Sequence, residues 1–163
     1  MMQDAAVKNL MEATKIQNKT YRSSKPENEL YHLLVAKFGK DDVIRQYKDM
    51  DLYPFMADFF IISRRMFIEL NAGWIHGNRW FDPLKDYYLI KRWVDKKMPS
   101  YNAALHSYLI RDVAKREAAR ARNLNYVVFW RYDLKDAKEW IEAGAPNSHD
   151  FISEYYWKNK ENE

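Results

Sequence analysis

Two carboxylates lie in segments that otherwise have the composition of buried β-strands. Asp58 interrupts the apolar run PFMADFFII, and Glu69 interrupts MFIELNAG eleven residues later. Aspartate is unfavourable in strands, and a buried charge is costly unless another group pairs with it. If the two segments form a hairpin, both carboxylates can reach one edge of the sheet, where oxygen ligands suit Mg²⁺. The alternative for Glu69 is an outward position on a half-exposed strand.

A histidine follows the second of these segments. His76 stands in GWIHG, where the flanking glycines allow the backbone to bring an imidazole close to a substrate. A histidine beside a phosphate can accept or donate a proton near neutral pH. Arg79 and Asp82 follow in the same loop. Asp82 can orient His76, hold a water of the metal, or simply cap the next helix.

A further acidic residue opens the first predicted helix. In the segment SKPE, Ser24 is a capping residue, a proline fits the first turn, and Glu27 lies three residues after the serine. Leu30 and Leu34 share a helix face with Glu27 and are expected to face the core. We therefore predict that Glu27 points toward the sheet edge, although it can also be no more than the partner of Ser24 in a capping box.

Helices and strands must position these residues. Capping and periodicity predict a helix that runs from Ser24 to Phe38 and ends at Gly39. Strands are predicted at 43–47, 55–62, 66–71 and 126–130. Further helices are predicted at 2–16, 84–97 and 101–122, and in the segments DLKDAKEWIEAG and SHDFISEYYW near the end of the sequence. This order of elements predicts a mixed α/β domain with a central mixed sheet flanked by helices.

The composition fits one domain with a real core. The chain has 163 residues, of which 47% are hydrophobic and 16% aromatic, and its net charge is +4. We expect a basic N-terminal arm or helix at 1–23 and a single domain at 24–163. The basic bias suggests a polyanionic partner. The absence of cysteine excludes disulfides, zinc–cysteine sites and thiol catalysis. No signal peptide or membrane span is apparent, which predicts a cytoplasmic protein with no membrane partner.

The motifs and their order resemble a known group of nucleases. The helix Glu27-Asn-Glu-Leu-Tyr-His-Leu-Leu34 is similar to the Glu-x-x-Leu-x-x-Leu-Leu helix of very short patch repair (Vsr) type endonucleases, within the restriction-endonuclease-like, or PD-(D/E)xK, fold. The later matches are Asp58-Phe59, Gly73-x-x-His76 eighteen residues after the aspartate, and Arg111-Asp112 through the strand that ends at Trp130. Together they cover residues 24–131.

The resemblance implies Mg²⁺-dependent cleavage of DNA phosphodiesters, with Mn²⁺ as a substitute. Asp58 is then a metal ligand, with Glu69 or a backbone carbonyl completing the site. His76 transfers a proton, and Glu27 organises the water of the metal. The loop from 74 to 82 is better matched by the phage and intron homing endonucleases named for an EDxHD motif, for which Glu27, Asp58, His76 and Asp82 are the candidate catalytic residues.

Two departures separate the chain from the mismatch-repair enzymes of this group. Those enzymes carry a structural zinc site that uses cysteine, and this chain has none. Positions that hold a threonine and a second histidine in those enzymes fall here near Glu69 to Asn71. We therefore expect a homing-type or phage-encoded nuclease, located in the cytoplasm of the host cell if a phage encodes it. The alternatives are a Vsr-like repair nickase and a non-catalytic nucleic-acid-binding module with a nuclease-like fold.

The expected partner is double-stranded DNA, since phosphate contacts supply much of the affinity of such proteins. A homodimer on DNA would place two sites on opposite strands. The alternative for the basic helix is a solvated face without a ligand. The candidate phosphate contacts are Arg79, Arg111, Lys115, Arg116 and Arg120.

Overall fold

The computed structural model of the protein describes residues 24–77 and 79–148. These residues form a mixed α/β fold, in which helices flank a four-stranded mixed sheet, as the sequence predicted. The predicted helix at 2–16 and the N-terminal arm at 1–23 lie outside the described residues, as does all but the first residue of SHDFISEYYW.

The first helix, α1, spans Lys25–Phe38. It begins as predicted, because the Ser24 hydroxyl accepts a hydrogen bond from the backbone N–H of Glu27 at 3.3 Å. It ends at Gly39, whose φ of 92° is open to glycine and whose N–H donates to the carbonyl of Val35. Both predicted ends of α1 are therefore confirmed.

The sheet consists of β1 (Val43–Asp49), β2 (Tyr53–Ile61), β3 (Met66–Leu70) and β4 (Asn125–Phe129), in that spatial order. Neighbours β1 and β2 are antiparallel, β2 and β3 are antiparallel, and β3 and β4 are parallel. The turn between β2 and β3 is a short 3₁₀ segment at Ile62–Arg64. The predicted hairpin and its following parallel strand are confirmed, with bounds that differ by three residues or fewer.

The helices between β3 and β4 form a second layer. They are α2 (Tyr87–Lys96), α3 (Pro99–Leu105), a π-helical segment (His106–Arg111) and α4 (Asp112–Ala121). The last helix, α5 (Lys135–Glu142), follows β4. The helix predicted as one unit at 101–122 is thus a helical rod with a π segment at its centre. A π segment changes the direction in which the following side chains point, and such segments are frequent at functional sites.

Three apolar clusters hold these layers together. The first lies between the sheet and the helices α1 and α5, and includes Leu30, Leu34 and Trp140. The second lies on the opposite face of the sheet and includes Phe67 from β3 and Ala119 from α4. The third packs α2, α3 and the π segment around the loop that follows β3. Within the described part of the chain, no helix has both the length and the apolar character that a bilayer crossing requires.

Candidate active site

An opening between β2 and β3 forms the centre of the candidate site. The two strands pair from Ile61↔Met66 to Phe59↔Ile68. One residue further, the carboxylate of Asp58 accepts the backbone N–H of Leu70 at 2.8 Å. A side chain therefore takes the place of a backbone acceptor at the point where the ladder ends. This contact explains how β2 tolerates an aspartate in its interior.

The neighbouring strand is strained at the same level. Gln46 lies opposite Asp58, between the pairs Arg45↔Phe59 and Tyr47↔Ala57, and its φ is 52°. A left-handed residue inside a strand costs of order 1–3 kcal/mol and persists only where surrounding contacts hold it. Here the Gln46 amide donates to Glu27 Oε1 at 2.8 Å, so the strained residue ties α1 to the sheet.

Glu69 lies at the bottom of the opening with a full set of partners. Its side chain is 1% exposed. The Tyr53 hydroxyl donates to Oε1 at 2.8 Å, and the Lys115 ammonium donates to Oε2 at 3.2 Å. The Tyr53 hydroxyl also lies 3.0 Å from that of Tyr126. Glu69 is therefore an interior acid and not the outward strand residue of the alternative interpretation.

Burial controls the protonation of this acid pair. Burial, and after it the charge of Asp58, raise the pKa of Glu69 to about 8, although Lys115 opposes both. Burial also raises the pKa of Asp58, while the Leu70 N–H, Lys115 and Glu69 itself lower it. The two carboxyls share one site, so their proton uptake belongs to the pair and not to either residue alone.

His76 is held by an acid that the sequence interpretation did not choose. Its Nδ1 lies 2.8 Å from Oδ2 of Asp112, at the start of α4. An ionised carboxylate can only accept a hydrogen bond, so Nδ1 carries the proton and Nε2 is the acceptor. Asp112 lies three residues before Lys115 on the same helix, and Lys115 contacts Glu69, so the imidazole lies near the opening.

The acid hydrogen-bonded to His76 is therefore Asp112, which corrects one of the three alternatives for Asp82, that it orients His76. Asp82 Oδ1 accepts the backbone N–H of Leu84 at 2.9 Å and that of Lys85 at 3.4 Å, so its carboxylate caps the next turn. These two hydrogen bonds also lower the pKa of Asp82. The cap was the alternative function of Asp82, and it is the one that the geometry favours.

Glu27 reaches the sheet as predicted. Besides its bond to Gln46, its Oε1 lies 3.6 Å from the Arg45 guanidinium on β1. Burial raises the pKa of Glu27, and the charge of Asp58 raises it further. This effect of one carboxyl on the other places Glu27 near the opening, at its outer side.

Of the five candidate phosphate contacts, two are placed differently from the expectation. Lys115 is 8% exposed and paired with Glu69, so it is not on an open helix face with Arg111. Arg79 is hydrogen-bonded to the buried carboxylate of Asp86. An interior ion pair of this kind holds a cation in place and removes it from the solvent-facing surface.

The remaining three candidates stay on α4 and the π segment that precedes it. Arg111 and Arg120 are exposed, and Arg120 lies 3.8 Å from Glu117 in a surface pair. The Arg116 guanidinium lies 5.2 Å from the ring centroid of Trp80, which is a cation–π contact. Arg111 and Arg120 are thus the candidates that remain accessible to a phosphate.

The acid pair has the donor chemistry of a magnesium site. Within residues 24–77 and 79–148, no group of three or more acidic or histidine side chains is arranged as a metal site. Asp58 and Glu69 supply two carboxylates, and hard cations accept carbonyls and waters as the remaining ligands. Burial raises the pKa of both carboxyls, and the charge of Asp58 adds to the rise at Glu69. The donor types of this pair suit a hard divalent cation, and both Glu69 oxygens are already hydrogen-bonded, to Tyr53 and to Lys115.

The sequence interpretation missed Asp112 as the partner of His76, and it took Lys115 for a phosphate contact instead of the partner of Glu69. Ala104, Tyr108, Asp112, Lys115 and Ala119 are buried and recur at steps of three or four residues. That spacing defines one helix face. Two ionisable residues on a face of otherwise inward residues are a recognisable signal of a buried pair, and this signal was present in the sequence.

Comparison with known proteins finds no relative of this chain. No protein-family model matches the chain, and no curated protein or solved structure is found to be similar to it.

We predict that Gly77→Ala lowers the free energy of unfolding by about 1–3 kcal/mol, as overpacking does. Gly77 has a φ of 65°, and an added Cβ would lie 2.4 Å from the ring of Tyr108. That ring cannot move freely, because its hydroxyl donates to the buried Asp86 at 2.8 Å. Gly144→Ala is the control, since Gly144 also has a positive φ but nothing within 4 Å of the added carbon. Equal losses for both variants in urea denaturation would contradict the proposed clash.

Asp58→Asn should stabilise the metal-free protein at pH 8. The folded pKa of Asp58 is raised, so the wild type loses stability as pH rises from the unfolded pKa through the folded one. Each pKa unit corresponds to about 1.4 kcal/mol. An asparagine can still accept the Leu70 N–H. Urea denaturation in EDTA should therefore show a gain in stability at pH 8 that disappears near pH 4.

Asp133→Asn is the control of opposite sign. The Arg131 guanidinium beside Asp133 holds the pKa of that carboxyl at about 2. Its contribution to stability is present above the unfolded pKa and is lost as pH falls through the folded one. This variant should therefore be slightly less stable than wild type at pH 8. A loss of stability for Asp58→Asn at pH 8 would show that its charge is compensated in the folded protein.

Proposed function

We propose that this chain is a metal-dependent DNA endonuclease of the homing or phage type, with a restriction-endonuclease-like core. One observation carries the proposal: the interior cluster of Asp58, Glu69 and Lys115 lies beside the hydrogen-bonded pair of His76 and Asp112. Two carboxylates at a sheet opening are the usual site of that fold, and the mixed sheet flanked by helices agrees with it.

Hydrolysis of a phosphodiester needs three things: neutralisation of the phosphate charge, removal of a proton from water and a proton for the leaving oxygen. A Mg²⁺ ion held by Asp58 and Glu69, with Mn²⁺ as a substitute, would supply the Lewis acidity that polarises the phosphate. The chain's own residues account for the other requirements.

His76 is suited to the proton transfers. Because Asp112 accepts the Nδ1 proton, the basic Nε2 is available on the other side of the ring. Asp112 is a positioning residue, since it acts by fixing the tautomer and the orientation of the imidazole. His76 remains partly exposed, so a substrate can approach it.

Lys115, Tyr53 and Glu27 act on the acids and not on the substrate. Lys115 and Tyr53 fix both oxygens of Glu69, which keeps its carboxylate in one orientation. Burial raises the pKa of Tyr53, so its hydroxyl stays protonated as a donor. Glu27 lies at the outer side of the opening, where it can order a water near the acid pair.

Double-stranded DNA is the proposed substrate. The net charge of +4 favours a polyanion, and Arg111 and Arg120 are exposed on the helical rod that also carries Asp112. The same rod thus links the proposed phosphate contacts to the candidate site. A homodimer on DNA would place two such sites on opposite strands.

We predict that the protein cuts long DNA of mixed sequence in Mg²⁺ and not in EDTA, and that Asp58→Asn lowers the rate roughly 10³-fold or more. Loss of a metal ligand removes several kcal/mol of transition-state stabilisation, which corresponds to such a factor. Electrophoresis under native and denaturing conditions separates double-strand cuts from nicks. DNA from the genomic neighbourhood of the gene should be included, because a homing-type enzyme has few target sites.

Glu27→Gln and Glu29→Gln form a matched pair for this assay. Both glutamates lie on α1, but Glu27 faces the opening whereas Glu29 is exposed. Cleavage should fall for Glu27→Gln and remain at the wild-type rate for Glu29→Gln. Undiminished Mg²⁺-dependent cleavage by Asp58→Asn would refute the assignment, and salt-sensitive DNA binding without cleavage on any substrate would favour a binding module.

A second prediction separates the two acids that could serve His76. Asp112→Asn should lower the cleavage rate by up to the roughly 10²–10⁴-fold contribution of a general base, because the tautomer of His76 is no longer fixed. Asp82→Asn should leave the rate within a few-fold of wild type, since asparagine also caps a turn. The rate should be measured against pH for both variants. The opposite ranking would return the orienting role to Asp82.

A further inference from the structure

A groove lies away from the candidate site, beside the turn between α4 and β4. Its volume is about 530 Å³. Tyr47, Phe60 and Phe67 form its floor, and neither the acid pair nor His76 lines it. The rings of Tyr47 and Phe60 stack with centroids 4.0 Å apart, and Phe67 meets Phe60 edge-on at 5.0 Å. The floor therefore presents the partly exposed rings of Tyr47 and Phe60, with the buried ring of Phe67 packed against them.

Two aliphatic side chains stand exposed at the rim of this groove. Leu52 is 39% exposed and Ile62 is 47% exposed, and both line the groove. Together with the rings they form one apolar patch. Contiguous apolar patches of this kind ordinarily contact another part of the chain or a partner.

The chain itself leads to this groove at the end of the described residues. Ala145 is buried in the cluster on the opposite face of the sheet, whereas Asn147 lines the groove. The Arg64 guanidinium donates to the Ala145 carbonyl and to Asn147 Oδ1, both at 3.0 Å. Residues 145–147 therefore pass from one face of the sheet to the other around its edge.

The next residue fixes the direction of the chain. The Ser148 N–H donates to Asn125 Oδ1 at 2.8 Å, and its carbonyl accepts the N–H of Tyr126 at 2.8 Å. Both partners belong to the edge strand β4. Ser148, the last residue that the structure describes, thus lies next to the groove at a backbone position held by two hydrogen bonds.

The fifteen residues that follow have the pattern to fill such a groove. Phe151, Ile152, Tyr155 and Tyr156 recur at the spacing of one helix face. Asp150 and Glu154 accompany them, and the groove is lined by the exposed Arg65. The lining also includes Asp49 and Arg64, so the groove carries two basic side chains against one acidic one, and apolar side chains are present both in the groove and in the segment.

We propose that residues 151–157 of the same chain pack into this groove, with their apolar side chains on the floor of Tyr47, Phe60 and Phe67. A tethered segment acts at an effective concentration in the millimolar range, which favours it over a second copy or an unrelated partner. The C-terminal segment then completes the second apolar cluster of the fold. This proposal does not depend on the proposed nuclease activity.

The test is photocrosslinking in the full-length chain. Ile62 is replaced by p-benzoylphenylalanine, and Leu84 serves as the control because it is 91% exposed and does not line the groove. Mixed ¹⁴N- and ¹⁵N-labelled copies distinguish crosslinks within one chain from those between chains. We expect crosslinks from position 62 to residues 149–163 within one chain, and none to these residues from position 84.

A matched pair of variants then tests whether the apolar side chains cause the contact. Phe151→Ser with Tyr155→Ser should reduce the crosslink from position 62 by at least five-fold, whereas Lys158→Ala with Lys160→Ala should leave it unchanged. Crosslinks between copies would assign the groove to a second copy instead. An absence of crosslinks to residues 149–163, or equal yields for the two double variants, would overturn the proposal.

Discussion

The negative charge shared by Asp58 and Glu69 must be offset inside the protein, and much of the surrounding structure serves this requirement. A buried carboxylate without partners costs far more than a small domain can tolerate. Lys115 supplies an ammonium in direct contact with Glu69, and Tyr53 occupies the second oxygen. Asp58 is satisfied by a backbone N–H from β3. Each partner comes from a different element, so the pair links α4 to two strands of the sheet, β2 and β3.

This requirement also explains features of the sheet that apolar packing alone does not need. The hydrogen-bond ladder between β2 and β3 ends where the Asp58 carboxylate accepts the backbone N–H of Leu70. Opposite this point, the backbone of Gln46 is in the left-handed conformation, and its side-chain amide donates a hydrogen bond to Glu27. Strain of this kind is common where a structure holds polar groups for function, since packing elsewhere outweighs its cost.

The sequence predicted the fold class and the acids, but not all of their partners. The ends of α1 follow from local chemistry, because Ser24 and Gly39 act on their own backbone. Alternation along β3 places Glu69 on the face opposite to Ile68, since a strand has a fixed period of two. The partner of His76 could not be found in the same way, because Asp82 and Asp112 are both acids and only the tertiary fold decides which one lies nearby.

The π segment shows why the pattern on the helical rod was hard to interpret. A regular helix from 101 to 122 would place Tyr108, Asp112 and Lys115 on a face calculated with 3.6 residues per turn. The π segment at His106–Arg111 widens the turn directly before Asp112, so the direction of every later side chain is shifted. Asp112 then meets His76, and Lys115, almost one turn further, meets Glu69. One helix thus positions both the imidazole and the acid pair, and the π segment that precedes it sets the direction in which Asp112 and Lys115 point.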